Sequence, residues 1–182
     1  RVLVAHGINL IKKRPRAGLR ALINASNCDL KFLSSEDIGF HIAPKLNAAG
    51  RLKDISIGIQ CLLATSQSTA DIHANQLKQL NLERKEMDQQ MELDSTALIQ
   101  DASTKSVITL YHQDWHQGVI GILASKIKEK TYKPTFIFAK TNNNELKGSA
   151  RSIPGVNLKT LLSKLDEHYP NLMKGYGGHA MA

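Results

Sequence analysis

Between Ile59 and Gln117 the chain contains neither glycine nor proline. No other feature restricts the fold as strongly, because these are the two residues that interrupt helices. Within that window residues 68–101 (STADIHANQLKQLNLERKEMDQQMELDSTALIQD) are rich in Gln, Glu, Lys, Leu and Met, which favour helix. Ser68 and Asp71 make a capping-box-like start. Leu77, Leu80, Met87, Met91 and Leu98 recur at helical spacing, and Arg84 and Asp94 break the stripe. A helix of this length reaches roughly 50 Å at 1.5 Å per residue. A stripe so thin cannot be buried all round. The segment therefore reads as a rod joining two lobes, and the charged breaks argue against a coiled-coil seam.

The two lobes differ in pattern. Over 1–33, Val2, Leu3, Ile8, Leu10, Ile11, Leu19, Leu22 and Ile23 fall on one helical face, interrupted by the basic KKRPRAG (12–18) with Pro15 as a stop. SSEDIGF (34–40) carries a helix start, with Ser34 or Ser35 as cap and Glu36 and Asp37 in the first turn. ISIGIQCLLAT (55–65) reads as a buried helix. After residue 103 the pattern changes. KSVITLYH (105–112) and KPTFIFAK (133–140) read as strands flanking the amphipathic GVIGILASKIKEKTY (118–132), which predicts a parallel pair. A third strand follows the polar turn after NNNE, and VNLKTLLSKLDEHY (156–169) reads as another helix. The expected fold is α/β: a mostly helical N-terminal segment, a long connecting helix, and a small α/β domain with a mixed sheet.

Composition narrows the class. The 182 residues are 42% hydrophobic and 22% charged, as in ordinary globular proteins. No stretch approaches the ~20 apolar residues of a membrane helix, and no secretory signal is visible. Cys28 and Cys61 stand far apart with no CxxC pair, which argues against a zinc site or disulfide framework and favours a reducing cytoplasm. The chain opens at Arg1 inside an apolar-periodic segment and stops at GGHAMA, so it reads as an excised piece of a longer protein. A net charge of +8 favours phosphate-bearing partners without specifying one.

Four short constellations could carry chemistry. In APKLNAAGR (43–51), Lys45, Asn47 and Arg51 sit among small residues that let a ligand approach; the bland alternative is a tight helix corner with solvated cations. In DWHQGVIG (114–121), Gly118 and Gly121 mark a helix start whose free amides suit an anion, with His116 beside them; the alternative is a turn with packing glycines and a capping His. In LKGSARSIPG (146–155), Gly148 exposes its amide, and Ser149 and Arg151 share one face of an extended strand, where they can converge on one anion. The alternative is a solvated Arg. In GYGGHA (175–180), Gly177, Gly178 and His179 suit a loop lying against a ligand backbone, or else a flexible end. No Asp/His cluster, H-E-x-x-H, Walker loop, nucleophile elbow or dinucleotide fingerprint is present.

IGFHIAPKLNAAGRLKD, YHQDWHQGVIGILASKIKEK, GSARSIPG and GYGGHAMA, in this order, resemble the RecJ family of bacterial single-strand-specific 5′→3′ DNA exonucleases, in the DHH phosphoesterase superfamily. The resemblance covers nearly the whole chain. It implies that 1–66 are the end of a DHH catalytic domain, 67–102 the linking helix, and 103–182 a DHH-associated α/β substrate-binding domain. It places the Mn²⁺ or Mg²⁺ ligands upstream of Arg1, so that this piece binds no metal and is inactive alone. It makes single-stranded DNA the partner, threaded between the lobes, with DNA repair and recombination as the setting, a cytoplasmic location and no membrane. Arg51, Ser149 and Arg151 match positions that grip the 5′-terminal phosphate, and His179 with Gly177 and Gly178 matches the position near the scissile phosphate. Ala43-Pro44-Lys45 replaces the family's usual Gly-Pro-Arg, exchanging a planar fork for a point charge. Ala150 stands where Gly is usual. Two other readings remain: another DHH-family phosphoesterase acting on oligonucleotides or nucleotide phosphates, and a non-catalytic nucleic-acid-binding module.

Overall fold

The computed structural model describes residues 1–101, 104–141 and 143–182. The chain forms two compact units, Arg1–Glu86 and Met87–Ala182.

The first unit is helical. Helices α1 (Val2–Lys13), α2 (Ala17–Ala25), α3 (Ala43–Leu52) and α4 (Ser56–Leu63) are joined by the beginning of α5 (Gln67–Asp101). Pro15 separates α1 from α2, as its missing N–H requires. The core is made by Leu22 and Ile23 of α2, Ala48 and Ala49 of α3, Cys61 of α4, and Ala70, Ala74 and Leu77 of α5, with Leu33 between elements. Helix α1 departs from expectation: its apolar periodicity is real, yet it buries no residue, and Val2 and Leu3 are more than 80% exposed. Periodicity predicts a helix but not what covers it.

At residues 34–37 the predicted cap forms reciprocally. The Ser34 hydroxyl accepts from the Asp37 amide at 3.1 Å, and the Asp37 carboxylate accepts from the Ser34 amide and hydroxyl, both at 2.8 Å. These bonds hold the Asp37 carboxyl below its ordinary pKa, the hydroxyl bond first. The next turn, Asp37–Ile42, is a π-helix. Pro44 follows in the first turn of α3, where a missing N–H is tolerated.

Helix α5 is continuous across its predicted length, but its cap is Ser66 rather than Ser68. The Ser66 hydroxyl accepts from the Thr69 amide at 3.1 Å, while Asp71 accepts from the Gln67 side chain at 2.9 Å. Over its second half α5 has partners within the second unit. Asp88, Met91 and Ser95 are buried, and Asp88 pairs with Lys126 of α6 (Ile120–Thr131) within the second unit.

That contact is ionic. The Lys126 ammonium donates to Asp88 at 2.8 Å and Glu92 at 2.9 Å, and Lys130 also donates to Glu92. Burial lowers the Lys126 pKa, but the bonds to Asp88 and Glu92 outweigh it and the net shift is upward. The hydrogen bonds from Lys130 and Lys126 bring the Glu92 carboxyl down to about 2, from 4.5. A depressed folded-state value means the contribution is complete above about pH 4.5 and is lost as pH falls towards 2. Glu92→Gln should flatten the loss of stability across that window, measured as urea midpoints at stepped pH. An equally steep acid limb in the variant would count against the network.

The second unit contains strands β1 (Ile108–Tyr111), β2 (Thr135–Lys140) and β3 (Leu146–Arg151), in the order β1-β2-β3, with α6 and α7 (Leu158–His168). Strands β1 and β2 are parallel, with Ile108 opposite Thr135. β3 runs antiparallel to β2, with Thr135 opposite Arg151 and Phe138 opposite Gly148. The sheet is mixed and the fold α/β, as expected. Its core is Ile108, Trp115, Ile120, Leu123, Ile127, Ile137 and Leu158. No helix among the described residues is long and apolar enough to cross a membrane.

Candidate phosphate-binding site

Two of the predicted residues of the second unit, Ser149 and Arg151, meet α6 near its beginning. Strand alternation puts Ser149 and Arg151 on one face. The Arg151 Nη1 lies 3.4 Å from the Ser149 hydroxyl, which accepts its proton, and donates to the Ala150 carbonyl at 2.6 Å. Arg151 Nε donates to the Ser125 hydroxyl of α6 at 3.1 Å. Ser125 in turn donates to the Gly121 carbonyl at 3.2 Å, one turn earlier. Both Ser149 and Arg151 are half-buried, so their charge and hydroxyl are fixed by packing yet reachable by a ligand.

Gly121 makes this close approach possible. A Cβ there would stand 3.0 Å from the Ser149 hydroxyl oxygen and 3.2 Å from Arg151 Nη2. Gly148 has a different reason to lack a side chain. Its neighbour across the ladder, Phe138, lies over it, and a Cβ would come within 2.6 Å of the ring.

His116 is placed at the mouth of the same turn, as a cap. Its Nδ1 accepts from the Gly118 amide at 3.1 Å, and its carbonyl accepts from Val119 at 2.9 Å and Ile120 at 3.3 Å. The expectation of free amides here is corrected for these three, which His116 occupies. An Nδ1 that accepts leaves the neutral ring's proton on Nε2.

The glycine loop is anchored rather than loose. The Ser152 amide donates to the Met181 carbonyl at 2.9 Å and the Leu158 amide to Ala180 at 2.8 Å. The loop is thereby tied to the residues that directly follow Arg151. Gly177, Gly178 and His179 are exposed. Gly178 has φ +142°, and a Cβ there would meet the Ala182 oxygen at 2.5 Å, so only glycine suits the position.

In the first unit the three predicted residues of α3 divide. Asn47 and Arg51, four apart on the helix, are both exposed. Lys45 is buried, at 8% exposure, and its ammonium donates to the His41 carbonyl at 2.8 Å. Burial lowers its pKa, Cys28 opposes that, and Lys85 and Lys78 add to it. Cys28 itself is raised by burial and by Asp37.

Sequence reasoning missed Ser125. The available signal was the spacing of Gly121 and Ser125, one helical turn apart and so on one face. The contribution of Gly121 is space for the two side chains of β3, where the sequence suggests an amide donor.

Residues 104–182, which hold the mixed three-stranded sheet and the glycine-opened helix, match the DHHA1 domain. Over its whole length the chain is 42% identical to the single-stranded-DNA-specific exonuclease RecJ of Escherichia coli K12, spanning 33% of that protein. It is 32% identical to the protein of the same name from Bacillus subtilis 168, spanning 23% of it. The magnesium-bound RecJ crystal structure from Thermus thermophilus superimposes with a TM-score of 0.81 and 29% identity, covering 96% of this chain and 26% of that one. An exonuclease RecJ bound to manganese gives 0.82 and 30%, covering 100% of this chain and 43% of that one. The chain is thus similar over its whole length to part of RecJ. It spans about a third of the length of the E. coli relative.

Proposed function

We propose that this chain is the substrate-binding part of a metal-dependent 5′→3′ single-stranded-DNA exonuclease, cytoplasmic and acting in DNA repair and recombination. On this reading 1–66 end a DHH catalytic domain, 67–102 link, and 103–182 bind substrate. The observation that carries it is the Arg151–Ser149 pair, held by α6 with two kinds of donor turned to one side. A guanidinium beside a hydroxyl suits a phosphate better than a base, because phosphate contacts fix position without reading sequence. Arg51 and Asn47 are assigned to further backbone contacts, and His116, Gly148, Gly177, Gly178 and His179 to the strand's path near the reacting phosphate. Lys45 contributes through α3, since its ammonium is committed to His41.

RecJ structures hold Mg²⁺ or Mn²⁺. Among the described residues of this chain no group of three or more His, Cys, Asp or Glu is placed to hold a metal ion. On this reading the metal and the hydrolysis belong to the part of the relatives' length that this chain does not span, and the chain's own residues bind and orient the strand.

The test is binding of a short single strand with and without a 5′-phosphate, for the parent and for Arg151→Ala. The parent should prefer the phosphorylated strand. The variant should lose that preference, because a charge-assisted hydrogen bond is worth roughly 1.5–3 kcal/mol, or about tenfold and more. Equal weakening of both strands, or of neither, would overturn the reading.

A further inference from the structure

We propose that Ser125 is a positioning residue that fixes how Arg151 presents its fork, an inference that rests on the reading of Arg151 as a phosphate contact. A guanidinium can meet an anion side-on, through Nε and one Nη, or end-on, through both Nη atoms. Here Nε is given to Ser125 at 3.1 Å, which closes the side-on edge. Nη1 is given to the Ala150 carbonyl and the Ser149 hydroxyl. Among the described residues Nη2 has no hydrogen-bond partner, and it projects over Gly121.

The direction of each bond is settled. The Ser125 hydroxyl gives its proton to the Gly121 carbonyl, so its oxygen is left to accept from Nε. Ser149 accepts from Nη1, so its own proton is left for a ligand. The anion is therefore met by Nη2 and the Ser149 hydroxyl together, on the side where Gly121 has no side chain. Ser125 touches no ligand. It keeps Nη2 pointed at one place by holding Nε, its neighbour on the same edge of the fork.

Two measurements on the 182-residue chain test this. The first is solvent exchange of the Arg151 Nε–H by NMR, which needs no ligand. Ser125→Ala should accelerate it, and Ser125→Thr, which keeps a hydroxyl, should restore slow exchange. The second is binding of a 5′-phosphorylated single strand. Ser125→Ala should weaken it roughly three- to tenfold, the range for losing one ordinary hydrogen bond. The unphosphorylated strand should be unaffected, and adding Ser125→Ala to Arg151→Ala should change nothing further. Unchanged Nε–H exchange in Ser125→Ala would overturn the proposal. So would an effect of Ser125→Ala that persists undiminished in the Arg151→Ala background. If exchange responds as expected but Arg151→Ala retains the phosphate preference, Ser125 still positions the fork and the phosphate reading is what fails.

Discussion

Gly18→Ala should destabilise the first unit more than any other single methyl addition. A Cβ at Gly18 would stand 2.0 Å from the Cys61 carbonyl oxygen, and 2.8 and 2.9 Å from the Cys61 carbonyl carbon and the Leu62 Cα. All three are backbone atoms of α4, so no rotamer change relieves the contact, and α2 and α4 must separate. Forced overpacking of this kind costs about 3 kcal/mol, offset by up to about 1 kcal/mol from alanine's better helix propensity. Gly7 is the matched control, since a Cβ there meets nothing within 4 Å. Gly7→Ala should raise the urea midpoint slightly and Gly18→Ala should lower it sharply. Equal midpoints would mean the two helices are not in backbone contact.

Gly121→Ala should abolish the phosphate preference while leaving the fold intact. Its Cβ would press on the Ser149 hydroxyl and on Arg151 Nη2, the two donors that face the ligand side. Both are ends of side chains, so they can move aside at little cost in stability, and alanine favours the helix. What they cannot do is move aside and still converge. The expected result is a loss of about tenfold or more in binding of a 5′-phosphorylated strand, the value of a charge-assisted bond, with an unchanged or higher unfolding midpoint. A variant that binds as the parent does would show that the ligand approaches from elsewhere.

Much of the fold is legible in the sequence because its signals are local. The absence of glycine and proline and the composition of 68–101 are enough to specify α5, and β-branched and aromatic runs to specify β1 and β2. The shared face of Ser149 and Arg151 follows from a period of two and nothing more. The features that escape are tertiary. Ser125 is a serine on a helix until β3 is laid beside it. Lys45 lies among residues that could equally face water, and only the packed π-turn supplies the His41 carbonyl that takes its ammonium. His116 reads equally as a ligand contact or as a cap, because sequence does not say that Gly118 will donate to its ring. Residues 88–95 read as bare because their partners, Lys126 and Lys130, come more than thirty positions later.

The pairing of Phe138 with Gly148 has a consequence for which changes the domain can tolerate. β3 meets β2 along one edge, and the fit of a ring over a residue without a side chain marks one alignment of the two strands. A slip by a single residue would swap every side chain to the opposite face, carrying Arg151 away from Ser125. A slip by two would restore the face but displace the guanidinium by about 7 Å along the strand, beyond the gap at Gly121. Odd shifts thus turn the binding face over, and even shifts move it out of reach. A phenylalanine assigned no ligand contact therefore sets the address at which a phosphate would be met, and its replacement would cost binding before it cost the sheet.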